Sequence, residues 1–289
     1  MPLLSISDLN QPQQELAPYL ELAGTLSQMY FDHVVSSQDK AYKYEVEVFG
    51  SAGRANGIHA SEISNCLKLM VYSLMDVQRW SDPSTADGNM LMRFALGTAV
   101  HSMVQNDWHR IAAQSGGRLA FEDEVRIHPK LGGAAAEWDL HSSCDGIFTF
   151  FDEHGHAIMR VGLEIKTESD KQYDKLHEPR GYHKEQTTLY QAALDLPLMW
   201  TFYYNKSNSN ITTSFAPFIF QFDAKLWEQL EMRFAKAHHM ASIKQLPQGT
   251  EGMHCKWCPY SYACKPQILK GSPPQRTRLA QGMKVRVRK

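Results

Sequence analysis

The sequence has no apolar run long enough to cross a membrane. No eighteen consecutive apolar residues occur, although 43% of the 289 residues are hydrophobic, and a membrane-spanning helix needs about 20 of them. The first residues, Met1 to Ser5, also lack the basic segment and apolar stretch of a secretory signal. We therefore expect a cytoplasmic protein without membrane association.

An excess of one charge is also absent. Lys and Arg number 30 against 31 Asp and Glu, which gives a net charge of −1 at pH 7. This balance excludes a protein that coats nucleic acid by bulk charge, but it permits a local basic groove. No glycine-rich flavin or nicotinamide fingerprint occurs, which argues against a redox carrier. The five cysteines, an odd number without a secretion signal, favour metal ligation over a disulfide framework.

Hydrophobic periodicity predicts an α/β core, with a mixed central sheet flanked by helices and with helical segments at both ends. We predict helices over residues 17–35, from Ser61 as N-cap to Leu74, and over 90–113, 180–194 and 224–243. Strands are predicted near 121–128, 144–151, 157–166, 198–204 and 211–222. The expected division is an N-terminal helical extension (1–56), a helical segment with the first cysteine of interest (57–92), the core (93–222), a C-terminal helix with a cysteine group (223–270) and a basic tail (271–289).

The most informative local pattern is a charged pair on an apolar strand. Glu164 and Lys166 alternate with Leu163 and Ile165, so the two charges share one face of the strand. Burying such charges is costly unless something pairs them. A hairpin turning near Gly155 would bring Asp145, at the start of the preceding strand, next to Glu164.

Two carboxylates and a backbone carbonyl form a hard oxygen ligand set. Asp145, Glu164 and the carbonyl of Ile165 would suit Mg²⁺ or Mn²⁺. Such a metal would activate a phosphate and a water for hydrolysis, and Lys166 would position that water or stabilise charge on the attacked phosphorus. The alternative interpretation is a surface salt bridge between Glu164 and Lys166, because Glu-x-Lys alone is a common sequence.

Two helical patterns add candidate residues. Gly97 and His101 are one turn apart on the predicted helix 90–113, where His101 could reach the metal as a nitrogen ligand. A hydrogen-bonded core histidine is the alternative. His183, Gln186 and Tyr190 form a polar stripe on the helix 180–194. Gln186 could orient a phosphate or a water near Lys166, and Tyr190 could contact the DNA backbone. The alternative is a solvated helix face.

Three cysteines occur within ten residues, Cys255, Cys258 and Cys264. Three thiols leave one ligand missing from a four-coordinate metal or cluster site. Cys66 is the natural candidate, because Cys144 lies inside the strand beside Asp145. The spacing suits an iron–sulfur cluster and also zinc, which accepts four thiolates equally well. Free structural cysteines are the remaining alternative.

Taken together, these motifs resemble the RecB-like branch of the PD-(D/E)XK nucleases. The ordered motifs are Gly97 with His101, Asp145 with Gly146, Glu164 with Lys166, and Gln186 with Tyr190. One cysteine before the core and Cys-x2-Cys-x5-Cys after it resemble the iron–sulfur members, including CRISPR-associated RecB-like exonucleases and AddAB-type nuclease subunits. The segment Gly57 to Cys66 is similar to that of phage-encoded relatives. The resemblance covers about residues 57–266 and departs from the family where Leu67-Lys68-Leu69 replaces the usual proline–arginine.

The resemblance implies a metal-dependent deoxyribonuclease, expected to be an exonuclease, in DNA processing, recombination, repair or phage DNA metabolism. It implies that the divalent metal is bound by His101, Asp145, Glu164 and the Ile165 carbonyl. Lys166 would be catalytic, and Gln186 and Tyr190 would line the DNA path. A structural [4Fe-4S] cluster, with zinc as the alternative occupant, would be held by Cys66, Cys255, Cys258 and Cys264.

The resemblance also implies a setting and a substrate. The expected substrate is DNA, single-stranded or with single-stranded ends, in a bacterial or phage-infected cell. Recombination or CRISPR-adaptation proteins are the candidate partners. The main alternative is a catalytically silent DNA-binding protein stapled by iron–sulfur or zinc. The retention of Asp145, Glu164 and Lys166 argues against it.

Overall fold

The computed structural model describes residues 24–26, 28–30, 56–79, 88–207, 215–252, 254–255 and 258–264. The helices are α1 (Leu67–Leu74), α2 (Gly88–Gln114), α3 (Gly133–Glu137), α4 (Asp170–Tyr173), α5 (Gly181–Leu194), α6 (Ala224–Ser242) and α7 (Ser261–Cys264). The strands are β1 (Leu119–Ile127), β2 (Ser142–Phe151), β3 (Ala157–Glu168), β4 (Leu198–Asn205) and β5 (Phe215–Gln221). Short 3₁₀ helices span Ala60–Glu62 and Pro129–Leu131. No helix among these residues is long and apolar enough to span a membrane.

The described residues fall into two compact units. The first unit contains those within Met1–Tyr44, with Ala99–Ile127 and Ser143–Trp227. The second unit contains those within Glu45–Thr98, with His128–Ser142 and those within Glu228–Lys289. All five strands of the sheet therefore lie essentially within the first unit.

The five strands form one mixed sheet in the order β1-β2-β3-β4-β5. β2 and β3 are antiparallel, β3 and β4 are parallel, and β4 and β5 are antiparallel. The parallel pair needs a crossover, which α4 and α5 supply. This arrangement confirms the predicted α/β class with a mixed sheet and flanking helices.

One face of the sheet packs against α2. Val161, Leu163 and Ile165, every second residue of β3, are fully buried in a cluster with Trp108 from α2. The Trp108 ring meets Phe148 edge-on, with ring centroids 4.6 Å apart. Each fully buried large apolar side chain contributes about 1.5–3 kcal/mol. This apolar face therefore fixes β3, and its other face is left for Glu164 and Lys166.

The helix boundaries agree with the sequence prediction at α2, α5 and α6 to within two residues at each end. The start of α1 was predicted wrongly. Ser61 lies within a 3₁₀ helix, and α1 begins at Leu67 with Cys66 as its N-cap. The physical reason is a turn, in which the Asn65 amide donates to the Glu62 carbonyl at 2.9 Å and ends the first helical segment.

Several predictions fall partly or wholly on residues that are not described. Within the helix predicted at 17–35, residues 24–26 and 28–30 are helical and the others lie outside the described residues. Residues 211–214 of the last predicted strand and the basic tail also lie outside them. The short helices α3, α4 and α7 were not predicted, because four or five residues are too few to display a helical period.

Gly146 is constrained by space and not by an unusual backbone angle. A β-carbon at this position would lie 2.4 Å from the ring of Phe121 and 3.3 Å from the Glu122 carbonyl oxygen. We expect Gly146→Ala to lower the free energy of unfolding by about 1–3 kcal/mol, because the Phe121 ring must shift in a packed core. Urea denaturation would measure this effect.

The matched control is Gly181→Ala, in the first turn of α5, where an added β-carbon would meet no atom within 4 Å. Its stability should stay the same or rise by up to about 1 kcal/mol. Equal stabilities of the two variants would show that Phe121 does not require the glycine.

Candidate active site

The hairpin of β2 and β3 brings Asp145 and Glu164 together. The strands are antiparallel with Gly146 opposite Leu163, so the preceding Asp145 lies beside the following Glu164. The backbone amide of Ile165 donates to Oδ2 of Asp145 at 2.6 Å. The turn contains Gly155, whose φ of +80° favours glycine. The predicted juxtaposition of the two carboxylates is confirmed, and their role as metal ligands stays a prediction.

Glu164 is the centre of a buried polar network. Its Oε1 accepts from the ammonium of Lys166 and, at 2.8 Å, from the side-chain amide of Gln186. The Gln186 carbonyl oxygen accepts from Lys166 at 3.1 Å, and its amide also donates to the Tyr190 hydroxyl at 2.7 Å. Gln186 therefore holds Lys166 with its oxygen and Glu164 with one amide hydrogen, while its other amide hydrogen is donated to Tyr190.

The second carboxylate oxygen of Glu164 has no hydrogen-bond partner among the described residues. Glu164 is 2% exposed, and this oxygen, Oε2, is buried. A buried carboxylate oxygen without a donor or cation costs free energy. This atom is the clearest indication in the first unit of a position where a cation would fit.

Helix α2 contacts Asp145 through two side chains one turn apart. Nδ1 of His101 lies 3.2 Å from Oδ1 of Asp145, and the side-chain amide of Gln105 donates to the Asp145 backbone carbonyl at 2.8 Å. The role of Gln105 was missed in the sequence. The signal that could have found it is its i, i+4 spacing from His101.

The four charged groups shift one another's proton affinity. Burial raises the pKa of Asp145, but His101 and Lys166 outweigh it and leave the value below the ordinary one. Burial and the neighbouring Asp145 raise the pKa of Glu164 to about 7. Burial lowers the pKa values of His101 and Lys166, but the carboxylates raise both above their ordinary values. Asp145 is therefore ionised and Lys166 is a cation at neutral pH.

Two of the side chains of the site are partly exposed to solvent. The side chains of His101 and Lys166 are 29% and 21% exposed, whereas Gln186 and Tyr190 are buried. Gln186 and Tyr190 were predicted to line the DNA path. Their burial favours a supporting position behind Lys166 and Glu164, and a catalytic role for them stays a prediction.

The second candidate site lies in the second unit. The thiols predicted as ligands line one pocket of about 260 Å³, namely those of Cys66, Cys255, Cys258 and Cys264. A β-carbon built on Gly249 would lie 3.8 Å from Sγ of Cys66 and 3.9 Å from Sγ of Cys264. The Thr250 amide donates to Sγ of Cys66 at 3.2 Å. All five cysteines of the chain are free.

Cys144 lies apart from this pocket in β2. It is fully buried, and its thiol donates to the carbonyls of Gly146 and Leu163 at 3.3 and 3.4 Å. Burial raises its pKa well above the ordinary value, so it is a protonated core thiol. The structure thus places Cys66 and not Cys144 with the C-terminal cysteines.

A buried arginine supports the cysteine pocket. Arg79 is 7% exposed, forms an ion pair with Glu62 and donates to the Tyr260 hydroxyl at 3.3 Å. Tyr260 lies between Cys258 and Cys264 in the chain and is fully buried. The Arg79 contacts therefore fix the segment with these two cysteines next to the 3₁₀ helix that precedes Cys66. This network has no sequence period and was not predicted.

Neither site presents a ready-made position for a single ion. Among the described residues, no group of three or more His, Cys, Asp or Glu is arranged so that it could hold a metal ion. In the first unit this agrees with His101 being paired to Asp145, which leaves two carboxylates. Magnesium is commonly held by one or two protein carboxylates, with water and substrate oxygens as its other ligands.

Comparison with known proteins finds no matching family profile and no matching curated protein. Solved structures that are similar to this chain include the following three. Two of them are structures of LHK-Exo, an alkaline exonuclease from Laribacter hongkongensis, and each match covers 67% of this chain and 91% of the other. The complex with dAMP has 12% identity and a TM-score of 0.44, and the other structure has 14% identity and a TM-score of 0.41. The third is SSO0001, with 13% identity and a TM-score of 0.42, and this match covers 85% of this chain and 98% of the other. At identities of 12–14% and TM-scores of 0.41–0.44, these similarities assign no function to this chain.

The Tyr190 hydroxyl has a defined task, to accept the second amide hydrogen of Gln186. We expect Tyr190→Phe to lower the free energy of unfolding by about 1–3 kcal/mol, because a buried amide hydrogen loses its acceptor. Tyr173→Phe is the matched control, since the Tyr173 hydroxyl is buried without a hydrogen-bond partner in the described part of the chain. Chemical denaturation should show the control to be neutral or stabilised. An unchanged Tyr190→Phe variant would contradict the network.

Proposed function

We propose that the protein is a metal-dependent deoxyribonuclease that hydrolyses phosphodiester bonds as an exonuclease. The observation that carries the proposal is the buried pair Asp145 and Glu164, with Lys166 beside them and one Glu164 oxygen unpartnered. The alternative interpretation, a surface salt bridge, does not account for two buried carboxylates, one of which contacts α2. The substrate is DNA, single-stranded or with single-stranded ends.

The residues present fit a divalent metal. The unpartnered Oε2 of Glu164 and the Asp145 carboxylate are hard oxygen donors, and the Ile165 carbonyl would be a third. His101 would complete the proposed ligand set by exchanging its contact with Asp145 for the metal. When bound, Mg²⁺ or Mn²⁺ supplies Lewis-acid activation of the phosphate and of the attacking water.

The protein's own side chains would stabilise charge on the phosphate and hold the reacting groups in position. Lys166 stays protonated, because Glu164 and Asp145 raise its pKa, and its ammonium would stabilise negative charge that develops on the phosphate. Gln186 holds Lys166 and Glu164 in one orientation, which makes it a positioning residue. His101 keeps Asp145 ionised through their contact at 3.2 Å.

We also propose that the four-cysteine pocket binds a [4Fe-4S] cluster with a structural role. A zinc site needs sulfur atoms only about 3.8 Å apart, as tetrahedral Zn–S bonds of ~2.3 Å require. Among the described residues no group of three or more His, Cys, Asp or Glu could hold a single metal ion, yet all four cysteines line one pocket of about 260 Å³. A pocket lined by four cysteines suits a cluster, which is larger than one ion. Burial raises the pKa of Cys258 to about 11, so an iron or zinc cation is needed to form its thiolate.

Cleavage is tested with end-labelled single- and double-stranded DNA in Mg²⁺, Mn²⁺ or EDTA. Wild-type protein should cleave only with metal, and Glu164→Gln or Lys166→Ala should lower the rate at least about 100-fold, because each removes charge from the reacting centre. Lys175→Ala, at an exposed position of the first unit, is the charge-matched control and should cleave normally. Release of single nucleotides from an end would identify an exonuclease.

Two outcomes would count against this proposal. Near-normal cleavage by Glu164→Gln would show that the site is elsewhere. If the wild-type protein binds DNA without added metal but never cleaves it, the alternative is favoured, namely a catalytically silent DNA-binding protein stabilised by an iron–sulfur cluster or zinc.

The cluster is tested on protein purified without oxygen. It should be brown, with iron and sulfide bound in a cluster's proportions, and Cys66→Ala should lose the colour and thermal stability, because cluster binding is coupled to folding. Cys144→Ala is the matched control and should stay brown, since Cys144 lies outside the pocket. Colourless protein with one zinc per chain would identify the alternative occupant. Normal colour in Cys66→Ala would reject Cys66 as a ligand.

A further inference from the structure

One residue of β1 has a backbone conformation that is unusual inside a strand. Glu124 has a φ of +48°, in the left-handed region that favours glycine. The other non-glycine residues with positive φ in the described part of the chain lie within two residues of a helix end, where this conformation is common: Asp76, Asp139, Asp195 and Lys244. The conformation of Glu124 therefore needs a separate explanation.

Both carboxylate oxygens of Glu124 accept hydrogen bonds. Oε1 accepts from the side-chain amide of Gln105 at 3.1 Å, and Oε2 accepts from the Ser143 hydroxyl at 2.8 Å. Gln105 belongs to α2 and Ser143 to β2, so Glu124 joins this helix to the start of this strand. A non-glycine residue in the left-handed region costs free energy and persists only where the surrounding contacts determine it. These two hydrogen bonds are such contacts.

The hydrogen bonds of Glu124 lead to Asp145. The side-chain amide of Gln105 also donates to the Asp145 carbonyl at 2.8 Å, and Ser143 precedes Asp145 by two residues in β2. Gln105 is 6% exposed, so its amide hydrogens depend on protein acceptors. The Glu124 carboxylate is one of these acceptors and the Asp145 carbonyl is the other. Glu124 thus acts on the Asp145 backbone through Gln105 and through the strand.

The side-chain contacts of Asp145 depend on this backbone position. Its Oδ2 accepts from the Ile165 amide at 2.6 Å, and its Oδ1 lies 3.2 Å from Nδ1 of His101. His101 is one turn before Gln105 on α2. Gln105 therefore ties the Asp145 backbone to the part of α2 that carries His101. A shift of this backbone would change both side-chain contacts together.

We infer that Glu124 is a positioning residue, which acts through Gln105 and Ser143 to hold Asp145 in the orientation that binds the divalent metal. The inference rests on the proposed nuclease function and deepens it. Groups that orient metal ligands matter for binding, and their loss typically lowers metal affinity or activity by about 10- to 100-fold. Since Glu124 acts through two other residues, we expect an effect near the lower end of this range.

The experiment compares wild type with three variants: Glu124→Gly, Glu124→Gln and Asp123→Ala. Glu124→Gly removes the carboxylate, and glycine suits the φ of +48°, so the fold is retained. Glu124→Gln keeps an oxygen that accepts from Gln105 and gains an amide that can donate to the Ser143 hydroxyl. Asp123→Ala is the matched control, because Asp123 is the preceding exposed carboxylate of β1 and pairs with His109 of α2 at 3.2 Å.

The first measurement is the metal dependence of cleavage. Glu124→Gly should raise the Mn²⁺ concentration for half-maximal cleavage about tenfold, while kcat at saturating Mn²⁺ stays near the wild-type value. Glu124→Gln and Asp123→Ala should both behave as wild type. A residue that only stabilised the fold would change the melting temperature and leave the metal requirement of the folded protein unchanged.

The second measurement is amide hydrogen exchange in metal-free protein, which does not depend on cleavage. The Ile165 amide donates to the Asp145 carboxylate, so its exchange rate reports how firmly that side chain is held. In Glu124→Gly this amide should exchange about tenfold faster than in wild type. The amide of Leu163, in the same strand, should exchange at the wild-type rate.

The two proposals fail separately. If wild type cleaves DNA and Glu124→Gly matches Asp123→Ala in metal requirement and in Ile165 exchange, the positioning role is wrong and the nuclease stands. In a wild type that cleaves, a change in only one of the two measurements would also overturn the role, because it links the hold on Asp145 to metal binding. If wild type cleaves no DNA with either metal, the nuclease is wrong. Ile165 exchange then decides alone whether Glu124 holds Asp145.

Discussion

Two carboxylates buried side by side impose the main constraint on the first unit. Desolvation and mutual repulsion would make Asp145 and Glu164 costly in an otherwise apolar sheet. The β2–β3 register supplies the Ile165 amide to Asp145, α2 supplies His101, and α5 supplies Gln186 to Glu164. The position of each neighbouring element is thus tied to the same two charges. Removing any one partner leaves a buried charge or polar group uncompensated.

The main constraint on the second unit is that four cysteines from distant parts of the sequence line one pocket. Its four pocket cysteines come from segments far apart in the chain, and Arg79 with Glu62 and Tyr260 already holds two of those segments together. A link that closes a long loop removes more freedom from the unfolded chain than a short one. The arginine network therefore prepares the pocket, and a ligand bound by all four thiols would complete the closure.

The contacts that could be predicted from the sequence are those between residues close together in the chain. The alternation around Glu164 and Lys166 and the turn at Gly155 were enough to place Asp145 beside Glu164, because strand period and hairpin register are local properties. Helical spacing likewise identified Gln186. Gln105, Arg79 and the burial of Tyr190 were not predicted, since they depend on packing between elements distant in sequence. Cys66 as the N-cap of α1 was missed because the turn at Asn65 leaves no periodic signal.

The two sites also differ in when they can form as the chain leaves the ribosome. Asp145, Glu164, Lys166, Gln186 and Tyr190 follow one another through β2, β3 and α5, and His101 precedes them. Once β4 has emerged to pair with β3, this site can assemble while Cys255 is still untranslated. The thiol pocket has to wait for Cys264, long after Cys66. During that interval Cys66 is in the chain without the three cysteines that later line the same pocket.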